Sequence, residues 1–178
     1  MKIYAIRHGE TDWNKEKRIQ GRTDIELNEI GIKQAESIKD LIKNEHFDLI
    51  ISSPLKRAKK TAEIVSNGVP IVYSDGIIER NFGLFEGKIM TEINFEDCYN
   101  YNLNYDDGSI EKVQDLVKRV YTFLDEVKEK YSDKKVLLVT HGGVIRAIKI
   151  YFEGLPENGM LPHAATKNCE LKEFIYKD

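Results

Sequence analysis

Two histidines, each close behind an apolar run, are the residues best placed to do chemistry. His8 follows the run Lys2–Ile6 and stands beside Arg7, and His141 follows the run Val136–Val139 and precedes two glycines. In an open α/β sheet, ligands bind beyond the carboxyl ends of the strands, so we expect both histidines at one site. Imidazole and guanidinium groups together suit an anion, above all a phosphate group.

The composition narrows the class of protein. The chain has 178 residues, of which 41% are hydrophobic and 32% charged, with a net charge of −3. These values are typical of a soluble globular protein, and we predict one domain over residues 1–178. A slightly acidic chain is not expected to bind nucleic acid or an acidic membrane. Attraction for a phosphorylated substrate must then come from a local cluster of cationic side chains.

Cysteine usage and hydropathy predict a cytoplasmic protein without cofactors. Cys98 and Cys169 are too few for a disulfide framework or a structural zinc site, so we expect two reduced thiols. The run Lys2–Ile6 is shorter than the roughly 7–15 residues of a signal-peptide core, and no stretch approaches the ~18 apolar residues of a membrane span. The chain has no Walker-type glycine loop and no His-Glu-x-x-His run, so no metal is expected.

Strands alternating with helices must position the two histidines. The predicted helices start at an Asn28 cap, at Ser53-Pro54 (running through Val65), at about Ser109 (running to Lys130 with an apolar stripe), and at Gly143 (running through Phe152). The predicted strands are Lys2–Ile6, Leu49–Ile51, Ile71–Tyr73, Val136–Val139 and a last strand near Glu170–Tyr176. This alternation indicates a mostly parallel sheet covered by helices on both faces.

Several short motifs in one order resemble a known family. They are Arg7-His8-Gly9-Glu10-Thr11 with Asn14, Gln20-Gly21, Ser52-Ser53-Pro54-Leu55-Lys56-Arg57-Ala58, Glu79-Arg80-Asn81-Phe82-Gly83 with Glu86-Gly87, and His141-Gly142-Gly143. The chain thereby resembles the histidine phosphatase superfamily, the phosphoglycerate-mutase-like enzymes, and within it the small phosphatases. The resemblance spans almost the whole chain and implies a three-layer α/β/α sandwich with a mostly parallel central sheet.

The resemblance also implies roles for the site residues. His8 would be the nucleophile that takes the phosphoryl group as a phosphohistidine, since a neutral imidazole is nucleophilic near pH 7. Arg7 and Arg57 would bind the phosphoryl oxygens, and His141 would add a hydrogen-bond donor or a positive charge. Further candidate donors to the phosphate group are Asn14 and the backbone around Gln20, Gly21 and Gly142.

Glu79 is the predicted general acid. It follows two isoleucines and is expected to be partly desolvated, which raises the pKa of a carboxyl group into a useful range. Glu86 and Glu10 are its rivals for this role. Arg80 is interpreted as an ordinary ion-pair partner.

The chain departs from the family pattern at two places. Asp107–Ile110 stand where many members have Pro-Gly-Glu-Ser, so the Pro and the Glu are missing, and Ile25–Leu27 replace the usual x-Pro-Leu. The first change lies where specificity is often set. The substrate therefore remains open among a sugar phosphate, a nucleotide, α-ribazole phosphate and a phosphoprotein.

The segment 89–107 has two interpretations. It is rich in Asn, Asp and Tyr and has no clean period, which fits a surface loop with a little helix. It also fits a lid over the pocket, with the aromatic rings of Tyr99, Tyr101 and Tyr105 suited to substrate contact. Of the other histidines, we expect His46 on the surface and His163 in a structural role.

Three functions are compatible with these residues. The leading one is a metal-independent phosphomonoester hydrolase that acts on a small phosphorylated metabolite. The second is a cofactor-dependent phosphoglycerate mutase, but family mutases carry longer insertions after the acid, whereas only the 28 residues 80–107 separate Glu79 from Gly108 here. The third is a non-catalytic phospho-ligand binding module, which is disfavoured because such modules usually lose the nucleophile or an arginine.

Overall fold

A five-stranded sheet forms the centre of the computed structural model, which describes residues 1–103, 108–162 and 167–176. The strands are β1 (Lys2–Arg7), β2 (Leu49–Ser52), β3 (Ile71–Tyr73), β4 (Val136–Thr140) and β5 (Leu171–Ile175). Their order is β3-β2-β4-β1-β5. All neighbouring pairs are parallel except β1 and β5, which are antiparallel. The prediction for His163 falls outside the described residues.

Five helices connect and cover these strands. They are α1 (Asp12–Lys15), α2 (Glu29–Ile42), α3 (Lys56–Val65), α4 (Val113–Lys130) and α5 (Gly142–Glu153). Single 3-10 turns occur at Asp75–Ile77, Gly83–Phe85, Met90–Glu92 and Asp97–Tyr99. Helix α2 begins as predicted after Asn28, whose side chain accepts a 2.9 Å hydrogen bond from the N–H of Gly31.

Alternation of side chains along the strands creates two cores. On β1, Ile6 packs in one cluster with residues of α2 and α3, whereas Ile3 packs in the other with residues of α4 and α5. Most of the apolar stripe predicted for α4 is buried, namely Val113, Leu116, Val117, Val120, Leu124 and Val127. Tyr131, the last residue of the predicted stripe, is only partly buried, and Phe123 is buried in addition. The predicted three-layer α/β/α sandwich with a mostly parallel sheet is therefore confirmed.

Two predicted helix starts are wrong. Helix α3 begins at Lys56 and not at Ser53, because the N–H of Ser53 donates to the carbonyl of Val139 and its hydroxyl contacts His141. Helix α4 begins at Val113 and not near Ser109. Glu111 is instead tied by its backbone N–H to the carbonyl of Asn81, which keeps the preceding residues in a loop.

Outside the motifs, the prediction that His46 lies on the surface is confirmed. His46 is exposed, and Cys98 and Cys169 are free and buried. No helix in residues 1–103, 108–162 or 167–176 is long and apolar enough to cross a membrane.

The connections around β1 and β4 create a crevice at their carboxyl ends. The chain leaves β1 towards α2 on one face of the sheet and leaves β4 directly into α5 on the other face. Strands that diverge in this way leave a gap between their outgoing connections, and in open α/β sheets ligands bind in that gap. The histidines that follow β1 and β4 therefore lie where the fold favours a site.

Candidate active site

The pairing of β1 with β4 places two histidine rings side by side. Arg7 is opposite Thr140 in the parallel register, and His8 and His141 are the next residues along each strand. The backbone N–H of His8 also donates to the carbonyl of Thr140 at 2.9 Å. The two ring centroids are consequently 5.2 Å apart, although 133 positions separate the residues along the chain.

His8 is held as a single neutral tautomer. Its Nδ1 lies 2.7 Å from the carbonyl oxygen of Gly9, which only accepts hydrogen bonds, so Nδ1 carries the hydrogen and Nε2 the lone pair. Burial, followed by the charges of Arg57 and Arg7, holds the pKa of His8 well below its ordinary value of 6.5. This neutral ring with a lone pair on Nε2 is the nucleophilic form of imidazole.

His141 is fully buried, and its ring is tilted by 56° relative to that of His8. Its Nε2 is 2.7 Å from the hydroxyl oxygen of Ser53. Burial, followed by the charge of Arg57 and the presence of His8, holds the pKa of His141 well below 6.5. Of the two contributions expected from His141, the structure of the free protein therefore favours the hydrogen-bond donor over the positive charge.

Arg57 is fully buried and is held by the loop that follows α1. Its Nη1 donates to the carbonyl of Thr23 at 2.9 Å, and its Nη2 donates to the carbonyl of Gly21 at 2.6 Å. Burial lowers the pKa of Arg57 to about 10, against the opposing effect of the Glu79 carboxylate, so the guanidinium keeps its charge at neutral pH. Gly21 thus lies behind Arg57 and does not line the cavity.

Nε of Arg57 and Nδ1 of His141 are buried without a hydrogen-bond partner in the described part of the chain. Nδ1 of His141 is a donor in the tautomer in which Nε2 accepts from the Ser53 hydroxyl. Buried polar groups in proteins are nearly always hydrogen-bonded, so each of these donors indicates a missing partner. The Arg57 charge also contributes to the low pKa of His141. An anion with several oxygens would supply acceptors to both.

Glu79 is buried and its carboxylate is held by backbone donors. Oε1 accepts from the N–H of Arg80 at 2.8 Å, and Oε2 accepts from the N–H of Gly143 at 3.2 Å. An added Cβ at position 143 would come within 2.5 Å of Glu79 Oε1 and 2.8 Å of the Tyr99 hydroxyl, so any larger residue there would displace these two groups. The first turn of α5 therefore packs directly on this carboxylate.

The two rival acids are engaged elsewhere. Glu86 accepts from the backbone N–H groups of Arg22 and Thr23, both at 2.9 Å, and thereby anchors the loop that holds Arg57. Glu10 accepts from the side chain of Asn28 at 3.0 Å. Neither of these carboxylates lines the cavity, whereas Glu79 does.

Thr11 orients two of the predicted phosphate-binding side chains. The Asn14 amide oxygen accepts from the Thr11 N–H at 3.2 Å, and the Gln20 amide oxygen accepts from the Thr11 hydroxyl at 2.9 Å. Because both carbonyl ends are occupied, the groups that Asn14 and Gln20 present to a ligand are their N–H donors.

These residues surround a cavity of about 470 Å³. The predicted site residues that line it are Arg7, His8, Asn14, Gln20, Arg57, Glu79 and Gly142. Other lining residues were not predicted, namely Arg18, Ile19, Phe82, Met90, Phe95, Glu96, Gly143, Arg146 and Lys167. Helical spacing could have identified Arg146, which lies three residues after Gly143 on α5, whereas Phe95 and Glu96 are indicated only by the lid interpretation of the segment 89–107.

The charges lining the cavity are mainly positive. Five cationic side chains (Arg7, Arg18, Arg57, Arg146 and Lys167) face two carboxylates, Glu79 and Glu96. Burial lowers the pKa of Arg7, and the Glu79 carboxylate opposes that shift. Within residues 1–103, 108–162 and 167–176, no group of three His, Cys, Asp or Glu side chains is placed to hold a metal ion.

The interpretation of Arg80 as an ion-pair partner is wrong. Arg80 is fully buried and donates to two backbone carbonyls, that of Glu111 at 2.7 Å and that of Cys98. Its guanidinium also lies 5.2 Å from the ring centroid of Phe82 and 5.4 Å from that of Tyr99. Arg80 therefore supports one wall of the cavity from behind.

A carboxylate does precede α4, although the expected Pro-Gly-Glu-Ser sequence is missing. Glu111 forms a two-point ion pair with Arg119, at 2.6 Å to Nε and 3.1 Å to Nη2, and accepts from the N–H of Asn81 at 3.1 Å. Although burial opposes it, the hydrogen bond from Arg119 keeps the pKa of Glu111 below its ordinary value. Glu111 thus anchors the segment that carries Glu79.

The described part of the segment 89–107 ends at residue 103 and forms one side of the cavity. Met90, Phe95, Glu96 and Tyr99 line the cavity, and Tyr99 is only 3% exposed. Tyr101 is not among the lining residues, and Tyr105 lies outside the described part of the chain. A surface loop alone does not account for this arrangement, because a buried tyrosine packs against the catalytic carboxylate candidate.

Comparisons with known proteins show what this chain is similar to. Residues 3–178 match the family model of the histidine phosphatase superfamily (branch 1). An uncharacterized phosphatase, PhoE, of Bacillus subtilis is 38% identical over 176 residues, which cover 96% of this chain and 89% of the relative. A probable phosphoglycerate mutase, GpmB, of Yersinia pestis is 31% identical, covering 100% and 86%. A phosphoserine phosphatase of Entamoeba histolytica, solved with 3-phosphoglyceric acid, superposes with a TM-score of 0.80 at 32% identity, covering 98% of this chain and 90% of that one.

Both site histidines are expected to titrate below pH 6.5 in the free protein. Since their folded-state pKa values are lowered, the unfolded chain binds more protons as the pH falls through 6.5, and the free energy of unfolding should decrease below that pH. Nitrogen-15 NMR titration, with signals assigned through His8→Ala and His141→Ala, measures the two midpoints. A midpoint at or above 6.5 for either ring would contradict the analysis of burial and charge.

Proposed function

Because this chain belongs to the histidine phosphatase superfamily, we propose that it is a phosphomonoester hydrolase that forms a phosphohistidine on His8. The superfamily includes phosphatases and mutase-like proteins, and enzymes of both kinds transfer a phosphoryl group. The proposed substrate is a small phosphorylated metabolite, the proposed reaction needs no metal or other cofactor, and the proposed compartment is the cytoplasm. The relatives named as phosphatases support hydrolysis.

The observation that carries this proposal is the environment of His8. Its Nε2 has a lone pair because Nδ1 is bound to the Gly9 carbonyl, and its low pKa keeps the ring neutral. Attack on phosphorus forms the Nε2–P bond and breaks the ester P–O bond, with the electron pair leaving on the ester oxygen. No proton has to leave His8 before the attack.

The cationic side chains supply the charge neutralisation that this transfer needs. Arg7 and Arg57 are proposed to bind the non-bridging phosphoryl oxygens, together with Nδ1 of His141 and the amide donors of Asn14 and Gln20. The backbone around Gly21 and Gly142 is proposed to complete this phosphate site, with Gly21 acting through its carbonyl on Arg57. Donors fixed before the reaction stabilise charge as it develops, without the cost of reorganisation.

Glu79 is proposed to be the general acid. Glu79 lines the cavity next to Gly143, whose N–H donates to it. In its protonated form Glu79 would donate to the leaving ester oxygen. In the second step the same group, now ionised, would take a proton from water as that water attacks the phosphohistidine. The alkoxide thus leaves as an alcohol and the phosphoryl group leaves as inorganic phosphate.

Water is proposed as the final acceptor because the segment over the cavity is short. Only residues 80–107 connect Glu79 to Gly108, and a long insertion that would shield the phosphohistidine from water does not fit in 28 residues. The alternative is a phosphoglycerate mutase, which the similarity to GpmB favours. A binding module without turnover is disfavoured, since His8, Glu79 and both arginines line one cavity.

Phosphohistidine formation is testable by quenched turnover. Rapid mixing with ³²P-labelled substrate, followed by denaturation, should trap label on the protein that is stable in base and labile in acid. The variant His8→Ala should lose both the label and the activity, because it lacks the attacking nitrogen. His46→Ala, at an exposed histidine, is the matched control and should keep both. Label that persists in His8→Ala would contradict the assignment of the nucleophile.

The role of Glu79 predicts a dependence on the leaving group. Glu79→Gln should slow hydrolysis of alkyl phosphates by about 10²–10⁴-fold, the usual contribution of a positioned acid. Phosphohistidine formation from p-nitrophenyl phosphate should be largely spared, because that phenolate leaves without protonation. Stopped-flow comparison of the two substrates measures the difference. Glu10→Gln, the same change at a carboxylate outside the cavity, should affect both substrates equally, and equal losses in Glu79→Gln would refute the acid role.

Hydrolase and mutase activities separate in one assay. Phosphate release and exchange between 2- and 3-phosphoglycerate should be followed together, with 2,3-bisphosphoglycerate present, and release is expected to be faster. Exchange that outpaces release tenfold or more, about 1.4 kcal/mol in barrier height, would replace the hydrolase with a mutase.

A further inference from the structure

An aromatic wall, formed by Phe82, Phe95 and Tyr99, lines one side of the cavity. The ring centroids of Phe82 and Phe95 are 5.5 Å apart, and the centroid of Tyr99 lies 5.5 Å from that of Phe95. Among the described residues that line the cavity, Tyr99 alone carries a hydroxyl group. The wall is therefore apolar except at this one point.

Tyr99 is held in place through both its ring and its backbone. The guanidinium of Arg146 lies 4.2 Å from the ring centroid, and that of Arg80 lies 5.4 Å from it. Arg146 is itself fixed by the Glu96 carboxylate, whose oxygens lie 3.2 Å from Nη1 and 3.2 Å from Nη2. The Tyr99 N–H donates to the carbonyl of Glu96 at 2.9 Å, and the Tyr99 carbonyl accepts from the N–H of Leu161 at 3.0 Å. The hydroxyl group is thus positioned before any ligand binds.

The Tyr99 hydroxyl and the Glu79 carboxylate border the same small space. A Cβ added to Gly143 would lie 2.8 Å from the hydroxyl oxygen and 2.5 Å from Oε1 of Glu79. All three residues line the cavity, so both oxygens are next to the cavity surface that the first turn of α5 forms. A ligand atom that accepts a proton from Glu79 therefore also lies close to Tyr99.

The Tyr99 hydroxyl is a neutral donor without a partner in the described part of the chain. Burial, followed by the charge of Glu79, raises the pKa of Tyr99, so the hydroxyl keeps its proton. Tyr99 is buried, yet its hydroxyl forms no hydrogen bond with residues 1–103, 108–162 or 167–176. Since buried polar groups nearly always have a partner, this donor indicates an acceptor that arrives with the ligand.

We propose that the Tyr99 hydroxyl is a catalytic hydrogen-bond donor to the ester oxygen that leaves phosphorus beside Glu79. This assignment rests on the proposed phosphatase function for its reaction. In the first step the P–O bond breaks with its electron pair on that oxygen, and Glu79 transfers its proton to it. Tyr99 keeps its own proton and donates a hydrogen bond. A fixed donor at the point where negative charge develops stabilises the transition state more than the bound substrate.

The same hydroxyl binds the attacking water in the second step. Leaving oxygen and attacking water occupy one position, because both lie in line with Nε2 of His8 and phosphorus. The water oxygen accepts from Tyr99, forms the new P–O bond with its other lone pair, and loses one proton to the Glu79 carboxylate. The P–Nε2 bond breaks, and its electron pair returns to Nε2 of His8.

Tyr99→Phe tests the donor because it removes the hydroxyl and keeps the ring. The kcat for glycerol 3-phosphate, an ester of an alkyl alcohol, should fall about 10²-fold, the usual loss for one transition-state donor, while KM changes little. Tyr101→Phe, the same change two residues later and outside the cavity lining, is the matched control and should leave kcat as it is. An unchanged kcat in Tyr99→Phe, or a loss confined to KM, would overturn the proposal.

p-Nitrophenyl phosphate separates the two steps in the same variant. Its phenolate leaves without help, so Tyr99→Phe should form the phosphohistidine nearly as fast as the wild-type protein, whereas attack by water should be slow. Stopped-flow measurement should then show a burst of p-nitrophenolate followed by a slow steady state. The burst amplitude counts the folded active sites, so rates per site are comparable even if part of the variant is unfolded. Equal slowing of both phases would show a general distortion of the site and would refute the assignment.

Orthovanadate binding tests the donor without turnover and separates it from the proposed function. Vanadate bound at His8 has an oxygen opposite Nε2, so Tyr99→Phe should weaken its affinity about 10-fold in calorimetry, and Tyr101→Phe should not. If affinity falls in this way but the wild-type protein releases no phosphate from either ester, the donor stands and the hydrolase is wrong. If the wild-type protein releases phosphate and Tyr99→Phe alters neither kcat nor vanadate affinity, the hydrolase stands and the donor is wrong.

Discussion

The parallel pairing of β1 with β4 is the constraint on which the rest of the site depends. Arg7 opposite Thr140 brings two histidines from opposite ends of the chain to one edge of the sheet. A shift of one residue in this register would turn the following side chains to the other face of the sheet. The alternating packing of Ile3 and Ile6 into the two cores prevents such a shift, so the hydrophobic effect fixes the histidine pair.

This arrangement buries cationic side chains without an equal number of carboxylates, so the protein has to compensate for their charge in other ways. Arg57 is fully buried, and the protein compensates with backbone carbonyls of the loop that Glu86 anchors. The two histidines respond in another way, by staying neutral. A site that holds fixed positive charge in a desolvated cavity attracts an anion strongly, because water no longer competes for the donors.

Support for the carboxylate of Glu79 comes from elements distant in the sequence. Gly143 donates to it from α5, and Glu111 anchors the adjoining backbone at Asn81 before α4 begins. Arg80 and the aromatic wall join this region to Arg146. The helix after β4 therefore contributes to the cavity twice, through its first turn at Glu79 and through Arg146 one turn later.

The sequence by itself determined the layered fold and supplied the candidate residues of the proposed phosphate site. Apolar periodicity predicts every strand and the faces of α2 and α4, because burial on one or both sides leaves a repeating pattern. The motifs that resemble those of the family mark Arg7, His8, Arg57 and Glu79 as candidates, since each motif is a short stretch of consecutive residues.

Only the tertiary structure decided which atoms of the site residues form hydrogen bonds and ion pairs, and which residues surround them. The pairing of His141 with Ser53, the fork between Glu96 and Arg146, and the anchoring of Asn81 by Glu111 join residues far apart in the chain. The starts of α3 and α4 were misplaced for the same reason, since Ser53 and Glu111 use their polar groups in long-range contacts that override local helix signals. Long-range contacts leave no periodic trace in a single sequence, so they become visible only when the folded chain brings the partners together.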